Sequence, residues 1–343
     1  MMFDALSVPS LTTDRWTAWD RFLGATSETG FMQSSWWADF RTTIGFEHFG
    51  VTLRSRNVIV GGAMVQKFSY TSGSCFYYIQ DGPVLPQDES TASNVFEAIL
   101  ENIEGRRKAE RRTVSHLRIE PRWQYLPSFV RGFRTPAFIS NDHFVEPRDT
   151  LCIDLRPSET AILAQMKPKG RYNIRVAQRH GVSVVEDLSP QGIADFLRIY
   201  KRTAARQEIK AKPPSYLRTL VSILLSSRHG SIFFAEHQGT RIATAMVVYF
   251  GPRATYFFGG SLVGRRRVMA PYLLHFEIMR RAKDMGYECY DLWGVAPSDQ
   301  PNHRWHDISV FKRKFGGQEL TLVPTLDLVY DPGAYDDYAI NHA

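Results

Sequence analysis

The fold is decided by Ser231-Ile232-Phe233-Phe234-Ala235-Glu236-His237-Gln238-Gly239-Thr240-Arg241-Ile242-Ala243-Thr244-Ala245-Met246-Val247-Val248-Tyr249-Phe250. Two runs rich in β-branched and aromatic residues, 231–236 and 242–250, flank Gln238-Gly239-Thr240, and the segment predicts a β-hairpin. A third strand follows at 254–259, then the loop Gly264-Arg265-Arg266-Arg267, a helix over about 269–285 and a strand over 288–293. The same order occurs earlier in the chain. Residues 51–66 read as two strands meeting at Ser55-Arg56-Asn57, followed by a third strand at 75–79. The turn Asp81-Gly82-Pro83 leads to a helix over about 89–109 and a strand over 114–120. Residue identities have diverged, so the repeat is one of pattern.

Strand, strand, strand, helix, strand resembles the acyltransferase fold of the N-acetyltransferase (GNAT) type, whose sheet splays open to admit an acyl donor. The fold expected is therefore α/β (α+β), with two tandem GNAT-like domains. Each is a mixed, mostly antiparallel sheet flanked by helices. Helical segments precede the strands at 14–23 and 35–42 in the first half. In the second half they fall at 159–166, 171–180, 191–206 and 216–227, with Pro168 and Gly170 separating the first two. The polar stretch 141–149, interrupted by Pro147, places the boundary, giving domains 1–148 and 149–343.

A chain of 343 residues fits two such domains. A net charge of +7 and a pI near 9.3 favour polyanions such as RNA, nucleotide diphosphates or an anionic lipid surface, without choosing among them. Cys75, Cys152 and Cys289 are scattered among apolar or aromatic residues and read as reduced core thiols of a cytoplasmic protein. No signal peptide and no apolar run long enough to span a bilayer is expected.

Two basic elements stand out. In Lys167-Pro168-Lys169-Gly170-Arg171-Tyr172-Asn173-Ile174-Arg175, continuing to Arg179, the arginines 171, 175 and 179 recur every four residues and share one helix face. Tyr172, Ile174 and Ala177 are expected to face the protein. The ridge reads either as a track for a sugar-phosphate backbone or as a solvated basic face. The second element is Phe311-Lys312-Arg313-Lys314-Phe315-Gly316-Gly317, in which rings exclude water around a cation and the glycines allow close approach. The loop 264–270 carries Val268 and Met269 where a coenzyme A-binding loop has a glycine, and Asp81-Gly82-Pro83-Val84-Leu85-Pro86 offers prolines without amide donors. Neither half looks built for coenzyme A. No Gly-x-Ser-x-Gly elbow surrounds Ser261, and His303, His306 and Asp307 read as a loop, so no metal is expected. Asp291, at the end of the last repeat strand, either orients an amine or ribose hydroxyl or caps the following turn. The aromatic residues, Tyr256-Phe257-Phe258 among them, are read mostly as core; Gln33 and Trp37 are kept as ligand contacts.

Taken in order, Phe31-Met32-Gln33-Ser34-x-x-Trp37, Tyr78-Ile79-x-x-Gly82-Pro83-Val84, Lys167-x-x-x-Arg171-Tyr172-Asn173-Ile174-Arg175, Thr203-x-x-Arg206, Asp291-Leu292-Trp293-Gly294 and Phe311-Lys312-Arg313-x-Phe315-Gly316-Gly317 resemble the Fem family of peptidyltransferases. Members of that family add amino acids from aminoacyl-tRNA to the peptide stem of peptidoglycan precursors. The resemblance implies a catalytic Lys312 beside Phe311 and precursor contacts at Gln33, Trp37, Tyr78, Arg206, Tyr216, Asp291 and Trp293, with Arg206 on phosphate. It makes Arg171, Arg175 and Arg179 tRNA contacts. No cofactor is implied. The partners implied are aminoacyl-tRNA and a UDP-linked or lipid-linked muramyl peptide, handled by a cytoplasmic monomer that touches the inner membrane face peripherally. Asp81 departs from the basic residue common before Gly82-Pro83.

The chemistry implied is attack of the precursor amine on the tRNA ester, with the Lys312 ammonium stabilising the oxyanion. Which group takes the amine's proton stays open between substrate phosphate and water. The competing readings are a GNAT-type acyltransferase using acyl-CoA, transfer to a non-peptidoglycan acceptor, and a non-catalytic RNA-binding protein.

Overall fold

The computed structural model describes residues 4–8, 13–26, 29–71, 73–133, 137–141, 144–207 and 209–342. The chain forms two compact units, one of residues 1–148 with 321–343 and one of residues 149–320. The sequence reading assigned all of 149–343 to the second domain. The C-terminal segment belongs instead to the first unit, because its strand completes the first sheet.

The first unit runs β1 (Asp4–Val8), α1 (Thr13–Gly24), α2 (Ser35–Thr43), β2 (Glu47–Ser55), β3 (Val58–Ser69), β4 (Ser74–Gln80), α3 (Glu89–Lys108), β5 (Thr113–Glu120), α4 (Ser128–Arg131) and β6 (Phe138–Asn141). The second runs β7 (Asp149–Asp154), α5 (Glu159–Gln165), α6 (Pro168–Arg179), β8 (Ser183–Glu186), α7 (Pro190–Arg206), α8 (Pro214–Ser227), β9 (Gly230–His237), β10 (Thr240–Phe250), β11 (Arg253–Ser261), α9 (Ala270–Asp284), β12 (Cys289–Gly294), α10 (His306–Lys312) and β13 (Gln318–Thr321). Strand β14 (Thr325–Val329) and α11 (Pro332–His342) return to the first unit.

The strand orders are β1-β2-β3-β4-β5-β14-β6 and β8-β9-β10-β11-β12-β7-β13, so the two sheets share one plan. In each, three antiparallel strands lead through a helix to a strand that pairs in parallel with the third, β4 with β5 and β11 with β12. The hairpin turns explain the registers: Arg56 and Asn57 (φ 48° and 66°), and Gln238 and Gly239 (50° and 68°), all have the left-handed backbone of tight two-residue turns. Helix starts follow their capping residues. Asp88 accepts from Thr91 N (2.8 Å) before α3, and Ser189 Oγ accepts from Gly192 N (3.1 Å) before α7. Each unit has its own apolar core, one around Tyr77, Phe96 and Ile119, the other around Phe233, Phe276 and Tyr290.

The two parallel pairs differ in one respect that positions the site. The β4–β5 ladder continues to Gln80 opposite Glu120, the last residue of each strand. The β11–β12 ladder stops at Thr255 opposite Asp291, although β11 continues to Ser261 and β12 to Gly294. Only the second sheet opens at the carboxyl ends of its parallel strands, where α/β folds place their ligands.

Candidate functional site

Lys312 is the last residue of α10 and is 6% exposed. Its Nζ donates to the carbonyl of Gly294, at the end of β12, at 2.6 Å, and lies 5.8 Å from the centre of the Tyr256 ring on β11. The lysine thus bridges the two strands where they part. Burial pulls its pKa from 10.5 down to about 7, and Asp291 partly opposes the shift. Helix α10 is held in place by Ser309, whose Oγ donates to Trp305 O (2.6 Å) and accepts from Ala296 N (2.7 Å).

The walls of this corner are aromatic. Phe311 packs edge-on against Tyr272 (4.9 Å between ring centres) and Phe315 (5.3 Å). His275 of α9 lies 4.5 Å from Tyr256 at a near-perpendicular angle, and its Nδ1 is 2.8 Å from Tyr290 Oη. Burial, with the Lys312 charge adding to it, drives the His275 pKa down to about 3, so its ring is neutral. The register of β10 on β11 pairs Met246 with Phe258 and Val247 with Tyr256, leaving Phe257 as the extra residue of a β-bulge. Across the opening, Trp293 has φ 61°, an outlier for a bulky side chain, and its ring stands perpendicular to Phe257 at 5.6 Å. Asp291 holds Trp293 there by accepting its N–H at 2.8 Å.

The two basic motifs of the sequence are one structure. Lys167 N donates to Lys314 O (3.1 Å), and a Cβ on Gly170 would run into the same carbonyl. Gly316 and Gly317 have φ 77° and 83°, and a Cβ on them would strike the carbonyls of Gln165 and Cys152. Glycine is required at all three positions for the Phe311–Gly317 segment to lie against α5, α6 and β7. Helix α6 therefore starts at Pro168 and contains Gly170, where the sequence reading placed a break.

The arginine ridge is divided. The Arg171 guanidinium donates to the carbonyls of Ala164 (3.2 Å) and Met166, tying down the end of α5. Arg175 and Arg179 are exposed. Tyr172, expected to face inward, is 47% exposed, with Lys169 Nζ 4.9 Å and Arg179 Cζ 6.0 Å from its ring centre. Ile174 and Ala177 are buried as expected.

Of the other candidates, Gln33, Trp37 and Tyr78 belong to the first unit, and Asp291, Arg206 and Tyr216 to the second. Gln33, 0% exposed, braces the first core: its Oε1 accepts from Met64 N (2.7 Å) and its Nε2 donates to Gln80 O (2.5 Å). Trp37 and Tyr78 are also buried there, and the Tyr78 hydroxyl donates to Glu120 at 2.5 Å. All three side chains are buried within the first unit. Asp291 is 0% exposed and accepts from Thr150, Trp293 and Arg253 (3.0 Å), so its carboxylate caps the turn rather than facing the opening. Arg206 Nη1 donates to Ser261 O (2.8 Å), and Thr203 Oγ1 accepts from Ser261 N (3.0 Å), so the Thr203-x-x-Arg206 pair grips the free end of β11. Partly buried Tyr216 receives Lys212 Nζ at 5.3 Å from its ring centre. Among the described residues no group of three or more His, Cys, Asp or Glu could hold a metal, and no helix is long and apolar enough to cross a membrane. The sequence reading missed Tyr256 and His275 because an aromatic run in a strand looks like core until a bulge redirects it.

Comparison with known proteins agrees with this arrangement. The FemAB family model matches residues 15–135, and the model of the acetyltransferase (GNAT) domain matches residues 168–305. The UDP-N-acetylmuramoylpentapeptide-lysine N(6)-alanyltransferase of Weissella viridescens is 23% identical, the alignment covering 80% of this chain and 83% of that one. The lipid II:glycine glycyltransferase of Staphylococcus haemolyticus is 18% identical, covering 92% of each. The crystal structure of FemX superposes with a TM-score of 0.85 over 97% of this chain and 99% of that one, at 14% identity. A tandem GNAT protein from the clavulanic acid pathway gives 0.55 over 96% and 99%, at 12% identity. With its first unit matching the FemAB family model, its second matching the acetyltransferase domain, and one sheet plan repeated in both, the chain carries the GNAT-type fold twice and is similar to the Fem family.

Proposed function

We propose that this protein is an aminoacyltransferase that moves an amino acid from aminoacyl-tRNA to the stem-peptide amine of a peptidoglycan precursor. The observation that carries the reading is Lys312 Nζ, buried at the open end of β11 and β12, with Gly294 O as its hydrogen-bond partner among the described residues. Its remaining hydrogens are available to an oxyanion formed in that opening. With a pKa near 7, the amine is populated in its neutral form at neutral pH and takes the proton that the attacking amine sheds. The resulting ammonium then faces the oxyanion just formed. No covalent intermediate is needed, because the tRNA ester is already activated.

The donor reading rests on two further features. Exposed Lys169, Tyr172, Arg175 and Arg179 form a basic, aromatic-bearing face on α6, suited to a sugar-phosphate backbone, and α6 packs against the Lys314 turn. At the start of α9, where an acyl-CoA enzyme presents amides to a pyrophosphate, Pro271 has no N–H to give. The relatives named above act on a muramyl pentapeptide and on lipid II, which supports a muramyl-peptide acceptor.

The test is incubation of purified protein with a pool of radiolabelled aminoacyl-tRNAs and either UDP-linked or lipid-linked muramyl pentapeptide. The expected result is a precursor one amino-acid residue heavier, formed only with charged tRNA. Saturable micromolar binding of acetyl-CoA, with no transfer from charged tRNA, would overturn the reading.

A further inference from the structure

Tyr256 stands beside Lys312, and no described residue hydrogen-bonds its hydroxyl. The side chain is packed between the His275 ring and Lys312 Nζ. Tyr256 is only partly buried, and its oxygen is not among the sealed, unpartnered polar atoms of the fold, so the hydroxyl is open to a group that enters from outside. The space for it is built in. A Cβ on Gly259 would come 2.5 Å from the phenol oxygen, so glycine at 259 gives the hydroxyl its place along the unpaired stretch of β11. The bulge at Phe257 sets the side-chain directions of this stretch. The ring thus lies on the β11 side of the opening, and Lys312 Nζ is fixed to its β12 side.

We propose that Tyr256 is the catalytic acid of the transfer, giving its phenolic proton to the departing ribose oxygen. The inference rests on the donor reading above. The acceptor nitrogen bonds to the ester carbon and its surplus proton passes to Lys312 Nζ. The bond from that carbon to the ribose oxygen then breaks as the oxygen takes the Tyr256 proton. Lys312 returns its proton to the phenolate, so the protein ends the turnover as it began. Burial raises the phenol's pKa above its ordinary value, toward that of the ribose hydroxyl it would protonate.

The experiment pairs Tyr256→Phe with two donors: aminoacyl-tRNA with its natural terminal ribose, and the same tRNA with fluorine replacing the 2′-hydroxyl, which makes the leaving oxygen more acidic. A 2′-deoxy donor controls for the missing hydroxyl. With the natural donor, kcat is expected to fall about 10²-fold while KM stays within about twofold, the pattern of an interaction made only in the transition state. With the fluorinated donor the defect should shrink at least about fivefold relative to the deoxy control, because a better leaving group needs the proton less. The melting temperature should not fall, since the oxygen removed has no partner among the described residues. A kcat within about twofold of wild type, a defect equal for all donors, or a clear loss of thermal stability overturns the assignment alone. A wild-type protein that transfers from none of the donors overturns the donor reading, and this assignment with it.

Discussion

Replacing Lys312 with Met tests catalysis and stability in opposite directions. Burial lowers the lysine's pKa from 10.5 to about 7 in the fold. At 1.36 kcal/mol per unit, holding this side chain costs the folded state about 4–5 kcal/mol at pH 7. Because the folded pKa is the lower one, the cost is full below pH 7 and fades as pH rises toward the unfolded value of 10.5. Methionine removes that cost but leaves the Gly294 carbonyl without its donor, a loss of about 1–3 kcal/mol. The net expectation at pH 7 is about 2–3 kcal/mol of added stability, or roughly 5–10 °C in melting temperature for a unit of this size. The gain should disappear by about pH 10. Turnover should fall about 10²–10³-fold, the loss typical of one oxyanion-stabilising group. Arg313→Met is the contrast: Arg313 pairs with Glu319 (2.7 Å) and donates to Ala296 O (2.6 Å), so its loss should reduce stability. Thermal melts from pH 6 to 10 and single-turnover transfer assays read both effects. A Lys312→Met protein that melts lower than wild type at pH 7, or whose difference from wild type does not vary with pH, would refute the burial argument. Near-normal turnover would refute the catalytic one.

Charge reversal at Arg175 and Arg179, both exposed, should weaken tRNA binding and flatten its log–log salt dependence by roughly 0.7–0.9 per lost phosphate contact; an unchanged slope would leave α6 as a solvated basic face. Gly317→Ala should destabilise the second unit by about 2–4 kcal/mol, since φ is 83° and the new methyl meets the Cys152 carbonyl; an unfolding midpoint equal to wild type would argue against the close approach. Asp291→Asn removes a buried charge that balances the partly buried Arg253 and should cost about 3 kcal/mol, seen as a lower denaturation midpoint. In wild type, kcat should rise with pH through about 7 as Lys312 loses its proton; Asp291 opposes the shift and His275 stays neutral throughout, so a rate that falls over this range would mean the ammonium is the active form.

Much of the molecule was legible because the deciding signals are local. Period-2 runs of Val, Ile, Phe and Tyr around Arg56-Asn57 and Gln238-Gly239 define both hairpins, since side-chain alternation and turn geometry are settled within a few residues. The doubled order of strands and helices, and with it the acyltransferase plan, followed from those signals. So did the apolar face of α6 at Ile174 and Ala177, and Lys312 among aromatic residues. What the sequence could not settle depends on which distant segments meet. β14 joins the first sheet because it pairs with β5 and β6, partners that no local pattern names. The polarity of Gln33, Tyr78 and Asp291 suggested ligand contacts, but polarity does not name a side chain's partners, and only the structure pairs them with Met64, Glu120 and Arg253. Gly170, Gly316 and Gly317 look alike as glycines in basic motifs; only the carbonyls of Lys314, Gln165 and Cys152 lying against them show why no side chain fits. The opening between β11 and β12, the bulge at Phe257 and the place of the Tyr256 hydroxyl arise from register, and register is fixed by the whole sheet rather than by any stretch of it.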